Sequence, residues 1–182
     1  MVIVGNPKDS GADLAVAIAN TWDTFEAPYE RLATLDDLRR FLERVGRPEA
    51  ARVVRKRDLI EVRQLRARLR RIFVAKDIGE AARLLNEIAE EAAAVPRLED
   101  VDGTWRIRFG PTERSVAAHL GATAAAALID IVQAHGLSRF GTCSGPPCTG
   151  VFVDATKNRS KRYCCRWCAD REAQRRHRAR ST

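Results

Sequence analysis

The stretch Cys143 to Cys168 reads CSGPPCTGVFVDATKNRSKRYCCRWC and decides how the rest of the chain is read. It holds all five cysteines of a 182-residue chain. Two close pairs, Cys143-x4-Cys148 and Cys164-x3-Cys168, stand fifteen residues apart. Such spacing suits a structural zinc site: each pair offers two thiolates from one local turn, and the spacer lets the chain return to the ion. Cys165-x2-Cys168 is also a zinc spacing, so the fourth ligand is left open between Cys164 and Cys165. His177 lies nine residues past Cys168, too far along a helix to compete. A disulfide framework would staple the body of a small secreted domain, and here the body has no cysteine.

Around the pairs, Ser144-Gly145-Pro146-Pro147 is turn chemistry and makes a knuckle. Val151-Phe152-Val153 reads as a short strand, Lys157-Asn158-Arg159-Ser160 as a turn, and Arg162-Tyr163 as the returning strand. A helix starting near Cys164 would stack Cys164 and Cys168 on one face. From Lys157 to Arg180 there are ten basic and two acidic residues, while the remainder of the chain carries 22 of each sign. The net charge of +8 therefore belongs to this tail. A closed four-thiolate site has no open position for water and supplies fold rather than hydrolysis.

The last helix runs through Arg171, Arg175, Arg176, Arg178 and Arg180. Arg171, Arg175 and Arg178 share one helical face. With Lys157, Arg159, Lys161 and Arg162, these are the candidate nucleic-acid contacts, since guanidinium groups pair with phosphate and guanine edges. The plainer reading is a solvated tail whose charges complement a helix dipole. Phe140, Phe152, Tyr163 and Trp167 sit where a small zinc module needs its core rather than in a stacking row, which favours duplex DNA over RNA.

Upstream, the periodicity is helical. Thr34 is a good N-cap for a helix carrying Leu38, Phe41, Leu42 and Val45, with Gly46 as its stop. A longer helix is expected from about Glu49 to Lys76, with Val54, Val62, Leu65, Leu69, Ile72 and Phe73 inward and Arg55, Arg63, Arg66 and Arg70 on a solvated face. Asp77 with Glu80 opens the next, through Leu84, Leu85, Ile88 and Ala92, stopped before Pro96. Trp105 to Phe109 alternates apolar and basic, and Asp102-Gly103 turns it back on Leu98 to Val101. Ser115 then caps a helix carrying Val116, Leu120, Ala124, Leu128 and Ile131, ending at Gly136. His119 and His135 on it read as ordinary helix residues.

At 45% hydrophobic and 31% charged the chain can bury a core and is not disordered throughout. No repeat, nucleotide-binding loop, Gly-x-Ser-x-Gly elbow or His-Glu-x-x-His pair occurs, so no enzyme is expected. Leu14 to Ala19 is too short for a signal-peptide core, and Val116 to Ala134 is broken by His119, Asp130 and Gln133. The expectation is a soluble protein of the reducing cytoplasm, without a membrane partner. The fold class is α-rich α+β: a helical domain with a small β-hairpin at 1–136, then a zinc module of knuckle, short hairpin and basic helix at 137–182.

These residues resemble a known family. Cys143 to Arg180 looks like the CGNR zinc finger, and the body looks like the ABATE domain that precedes it in bacterial proteins described as stress-induced transcription regulators. The resemblance rests on Cys143 and Cys148, Val151-Phe152-Val153-Asp154, Thr156 to Ser160, Tyr163-Cys164, and Cys168-Ala169-Asp170-Arg171 leading into Arg175 to Arg180. Ala169 and Asp170 depart from the Gly and Asn of the family's name motif. In the body, Asn20-Thr21 resembles an early Asn-Thr element, with Asn20 read as a helix-end cap.

The resemblance favours Cys164 and implies one structural Zn²⁺ on Cys143, Cys148, Cys164 and Cys168. It implies a DNA-binding transcriptional regulator whose body senses a small molecule or partner, or dimerises. The alternatives are a zinc-containing adaptor for RNA or protein, and a redox or metal-stress sensor switching through Cys165.

Overall fold

The computed structural model describes residues 11–23, 27–101, 103–109 and 115–180, with the side chains of Val101, Arg108 and Arg180 outside the description. The opening Met1 to Pro7 and Asp102 of the hairpin turn lie outside these residues. Seven helices and two hairpins are described: α1 Gly11–Ala19, α2 Leu35–Arg44, α3 Pro48–Val53, α4 Lys56–Phe73, α5 Ile78–Glu91, β1 Pro96–Val101, β2 Thr104–Phe109, α6 Val116–His135, β3 Phe140–Thr142, β4 Val151–Val153 and α7 Arg166–Arg180.

The helix starts follow their caps. Thr34 Oγ1 accepts from Asp37 N at 3.2 Å while Asp37 Oδ2 accepts from Thr34 N at 2.8 Å, a reciprocal box that satisfies two orphan donors of α2. Asp77 accepts from Glu80 N at 2.8 Å, and Ser115 Oγ accepts from Ala118 N at 3.3 Å. The expected helix from Glu49 to Lys76 is instead two, α3 and α4. Val54 adopts extended backbone between them, and Asp58 draws the chain in by accepting from Arg55 N at 2.7 Å. Apolar periodicity runs through the break because Val54 is itself buried.

The core lies among α1, α4, α5 and α6, with α2 packed on α3 and α4. Leu14 and Ile18 of α1 meet Leu69 and Ile72 of α4, Leu84 and Ile88 of α5, and Leu120 and Leu128 of α6 within one buried cluster. The alanine run of α6 is a packing device. Gly11 approaches α6 so closely that a Cβ there would stand 2.5 Å from Thr123 O. Although α6 has the length and hydropathy of a membrane span, Ala117, Leu120, Ala124, Ala125 and Leu128 are buried inside this bundle.

α1 was legible only as a short apolar run. It ends in a corner that the arginines of α4 hold, which corrects the expectation of a solvated arginine face. Arg66 is buried, and its guanidinium donates to both oxygens of Glu30 at 2.7 Å and to Thr21 Oγ1 at 3.3 Å. That hydrogen bond holds the Glu30 carboxyl below its ordinary range against the opposing effect of burial. Arg63 donates to Leu32 O at 2.6 and 2.9 Å and to Ala33 O at 3.0 Å.

The β1–β2 hairpin pairs Leu98 with Ile107 and Asp100 with Trp105, as the alternation requires. Its apolar face is open to solvent: Leu98, Trp105 and Ile107 are all exposed. A second hairpin pairs β3 with β4, placing Gly141 opposite Phe152. The strand expected at Arg162-Tyr163 is not formed; β4 returns to residues before the knuckle instead.

Asp58 ties two helix starts together, since its Oδ1 also accepts from Val116 N at 3.3 Å. Asp58→Ala would strand two backbone donors near the core, and is expected to lower unfolding free energy by about 1–3 kcal/mol. Urea melts followed by circular dichroism check this, with Asp58→Asn recovering part of the loss.

Candidate metal centre and basic surface

The knuckle is built by short-range backbone bonds. Cys148 N donates to Gly145 O at 3.0 Å, closing the turn across Pro146 and Pro147. Cys143 N donates to Gly150 O at 2.8 Å, and Ser144 N to Arg162 O at 2.8 Å, which brings the second cysteine segment alongside the first. The sulfurs of Cys143, Cys148, Cys164 and Cys168 then lie within 4.8 Å of one another. Cys148 Sγ and Cys168 Sγ each stand 3.7 Å from Cys164 Sγ. A tetrahedron of thiolates about Zn²⁺ at ~2.3 Å has edges of ~3.8 Å, so the group fits one structural zinc. Cys165 is exposed and stands outside the group of four.

Gly150 is the crossing point. A Cβ there would lie 2.9 Å from Cys164 Sγ and 3.3 Å from Cys148 Sγ, and the Gly150 N–H donates to Cys148 Sγ at 3.3 Å. The sulfurs also differ in their readiness to ionise. Burial opposes ionisation of Cys143, but backbone hydrogen bonds at Cys164 and Gly145 outweigh it and hold that thiol below its ordinary value. Burial, then the neighbouring Cys148 and Cys143 sulfurs, push the Cys164 thiol well up, and burial also raises Cys168. Several thiolates crowded in one small space repel each other, and a divalent cation among them reverses that balance.

α7 starts at Arg166, after Cys164 rather than at it. Cys164 therefore belongs to the approach to the helix, and Cys168 to its first turn. Arg171 turns inward from this helix: its Nη2 donates to Gly145 O at 2.5 Å and Pro146 O at 3.0 Å, and its guanidinium lies 5.1 Å from the Trp167 ring. Trp167, expected as a core or domain-docking residue, is half exposed and so lies outside the module's buried core. Arg175 pairs with Glu172, which is buried. The Arg175 hydrogen bond outweighs desolvation and, with Arg171 and Arg176 nearby, keeps the Glu172 carboxyl below its ordinary value. Arg171 and Arg175, expected on an outward face, thus have partners within the module.

The turn after β4 is held from inside. Buried Asp154 accepts from Thr156 N at 2.8 Å, Thr156 Oγ1 at 2.6 Å and Lys161 N at 2.9 Å. Burial works against its ionisation, and these bonds prevail, so the carboxyl sits below its usual value. Ser160 N donates to Thr156 Oγ1 at 2.9 Å. The result presents Lys157, Arg159, Lys161 and Arg162 outward, all exposed. Lys161 Nζ also lies 5.2 Å from the Phe152 ring. Arg176, exposed on α7, reaches Tyr163 Oη at 3.4 Å and so adjoins the end of the same segment; Arg178 is exposed further along.

The body contributes residues the sequence reading did not assign. Asn20 does not cap α1 with its side chain: its Nδ2 donates to Val151 O at 2.8 Å, and its Oδ1 accepts from Val151 N at 2.8 Å. Arg70 Nη2 donates to Thr149 O at 2.9 Å. Phe73 and Phe140 rings meet at 5.1 Å. The early Asn-Thr element was the available signal, but its partner lies 131 residues away.

Two family profiles match the chain. Residues 12–135 match ABATE, described as "Putative stress-induced transcription regulator", and residues 139–181 match the CGNR zinc finger. No curated protein is similar enough to the chain to count as a match.

Metal content of reduced protein distinguishes the sulfurs. Cys165→Ser is expected to keep one zinc per chain, whereas Cys148→Ser and Gly150→Ala should lose most of it, read by elemental analysis with thiol counting.

Proposed function

The chain belongs to the ABATE family and carries a CGNR zinc finger behind that domain, and from this premise we propose that it is a DNA-binding transcription regulator. Residues 1–136 form the regulatory body and residues 137–182 the module that meets DNA. On this reading Cys143, Cys148, Cys164 and Cys168 hold one Zn²⁺, which offsets part of the thiolate charge and ties the knuckle to the first turn of α7. The role is non-enzymatic and cytoplasmic, and the body answers to a small molecule or a partner chain.

The observation that carries the proposal is the exposed basic turn pinned by Asp154. Ordering long cationic side chains on a flexible loop costs entropy at the moment of binding. Here the backbone beneath Lys157, Arg159, Lys161 and Arg162 is already fixed by the Asp154, Thr156 and Ser160 bonds. Arg176 and Arg178 extend that surface along α7. A rigid array of this kind suits the regular phosphate spacing of a duplex, with guanidinium groups donating in pairs. Arg171 and Arg175 support the array from within the module, through Gly145, Pro146 and Glu172. Four thiolates with one Zn²⁺ add a formal −2, against which the tail's excess of basic residues remains positive.

Fluorescence anisotropy with a labelled duplex tests this. The triple variant Lys157→Ala, Arg159→Ala, Arg162→Ala is expected to weaken binding and to flatten the salt dependence by about 0.9 for each phosphate that is no longer neutralised. Arg171→Ala should act differently, loosening zinc before it touches the salt slope. Binding unchanged in the triple variant, or stronger competition by single-stranded RNA than by duplex DNA, would overturn the assignment.

A further inference from the structure

The tripeptide Thr149-Gly150-Val151 leads from the knuckle into β4, and its backbone is gripped from two sides. Toward the sulfurs, Gly150 O accepts from Cys143 N at 2.8 Å and Gly150 N donates to Cys148 Sγ at 3.3 Å. Toward the body, Val151 exchanges two 2.8 Å bonds with the Asn20 side chain, and Thr149 O accepts from Arg70 at 2.9 Å. The same Arg70 guanidinium donates to Ala19 O at 3.0 Å, fixing the residue that precedes Asn20. It also lies 5.6 Å from the Trp22 ring.

The Asn20 amide copies what a strand residue does in an antiparallel pair, accepting and donating across from one partner. Val151 is 1% exposed, so its backbone groups have little access to water as an alternative. Losing that exchange would free the residue beside Gly150. Gly150 has no slack, since its Cα packs against Cys164 Sγ closely enough to exclude a methyl group. A shift of the tripeptide by a few tenths of an ångström is thus passed to three of the four sulfurs: Cys148 through the Gly150 N–H, Cys143 through the Gly150 carbonyl, and Cys164 by direct contact.

We propose that Asn20 and Arg70, both in the helical body, are positioning residues of the metal centre, acting on its sulfurs through the backbone of residues 149–151. The centre is then completed by the body rather than contained in the module. Because coupling is reciprocal, metal bound at the cysteines stabilises the corner formed by the end of α1 and α4, and release of that corner loosens the metal. The inference rests on the zinc reading of the four thiols, and its test keeps the two apart.

The experiment uses the full chain, loaded with one equivalent of Zn²⁺ under reducing conditions, and follows transfer of zinc to a chromophoric chelator. Asn20→Ala and Arg70→Ala are expected to release zinc about tenfold faster than the unsubstituted chain, in the range typical for groups supporting metal ligands. Arg70→Lys, which keeps one donor, should fall between. Arg63→Ala, which removes body hydrogen bonds without touching residues 149–151, should release at the original rate. Cobalt substitution reports the same sites by their tetrahedral absorption bands, which should weaken in Asn20→Ala and persist in Arg63→Ala. Far-UV circular dichroism confirms folding; should Asn20→Ala fail it, Arg70→Lys is read in its place. Failure of the unsubstituted chain to hold zinc would sink the zinc reading. Retention of zinc with unchanged release in Asn20→Ala and Arg70→Ala, or in Arg70→Lys where Asn20→Ala does not fold, would sink the positioning role alone. Equal acceleration in Arg63→Ala would do the same.

Discussion

The closeness of four sulfurs from two stretches fifteen residues apart is the constraint around which the C-terminal third is arranged. Without a shared cation, thiols at these separations would resist joint ionisation; burial first, and the neighbouring sulfurs after it, push the Cys164 and Cys168 thiols up. Backbone bonds nevertheless draw the two segments together: Cys143 to Gly150, Ser144 to Arg162, Cys148 to Gly145. Each of these bonds ties one cysteine segment to a neighbour in space. Glycine at 150 is the steric condition for the close approach of Cys164 and Cys148, because a side chain there would stand against both sulfurs.

Arginine does the second half of the construction. The arginines of α4 look in the sequence like a charged, water-facing stripe. In the structure Arg63, Arg66 and Arg70 reach across to carbonyls and a carboxylate in the segment from Ala19 to Ala33. A guanidinium can satisfy several acceptors in one plane while its stem packs on apolar surface, which lysine cannot match. An irregular corner with many unpaired carbonyls is thereby made into a fixed part of the body, and Asn20 emerges from it already aimed at β4.

What could be read from the residues followed from how local the cause was. The caps at Thr34, Asp77 and Ser115 act over three residues, and their helices begin where those residues stand. The cysteine pairs are local turns, and their spacing made the zinc module legible. The break between α3 and α4 was hidden because buried Val54 preserves the apolar rhythm while Asp58 bends the backbone. β3 went unassigned because three residues carry no period, and its partner β4 is chosen by the knuckle's geometry. The roles of Asn20, Arg66 and Arg70 depend on partners 36 to 131 residues away, which no local pattern encodes.

The same distinction changes how the basic tail is to be weighed. Counting charge treats every arginine from Lys157 onward as equally available to an anion, but the module uses some of them to hold itself together. Arg171 neutralises no carboxylate in its hydrogen bonds to the knuckle; it donates to two carbonyls of the turn between Cys143 and Cys148. Arg175 compensates Glu172, a carboxylate that burial would otherwise make costly. Removing either would therefore disturb the shape of the surface as well as its charge, whereas Arg159 and Arg162 stand on backbone that Asp154 and Ser144 already hold. A cationic surface for a polyanion needs both classes, and the folded chain separates them by which atoms their guanidinium groups already face.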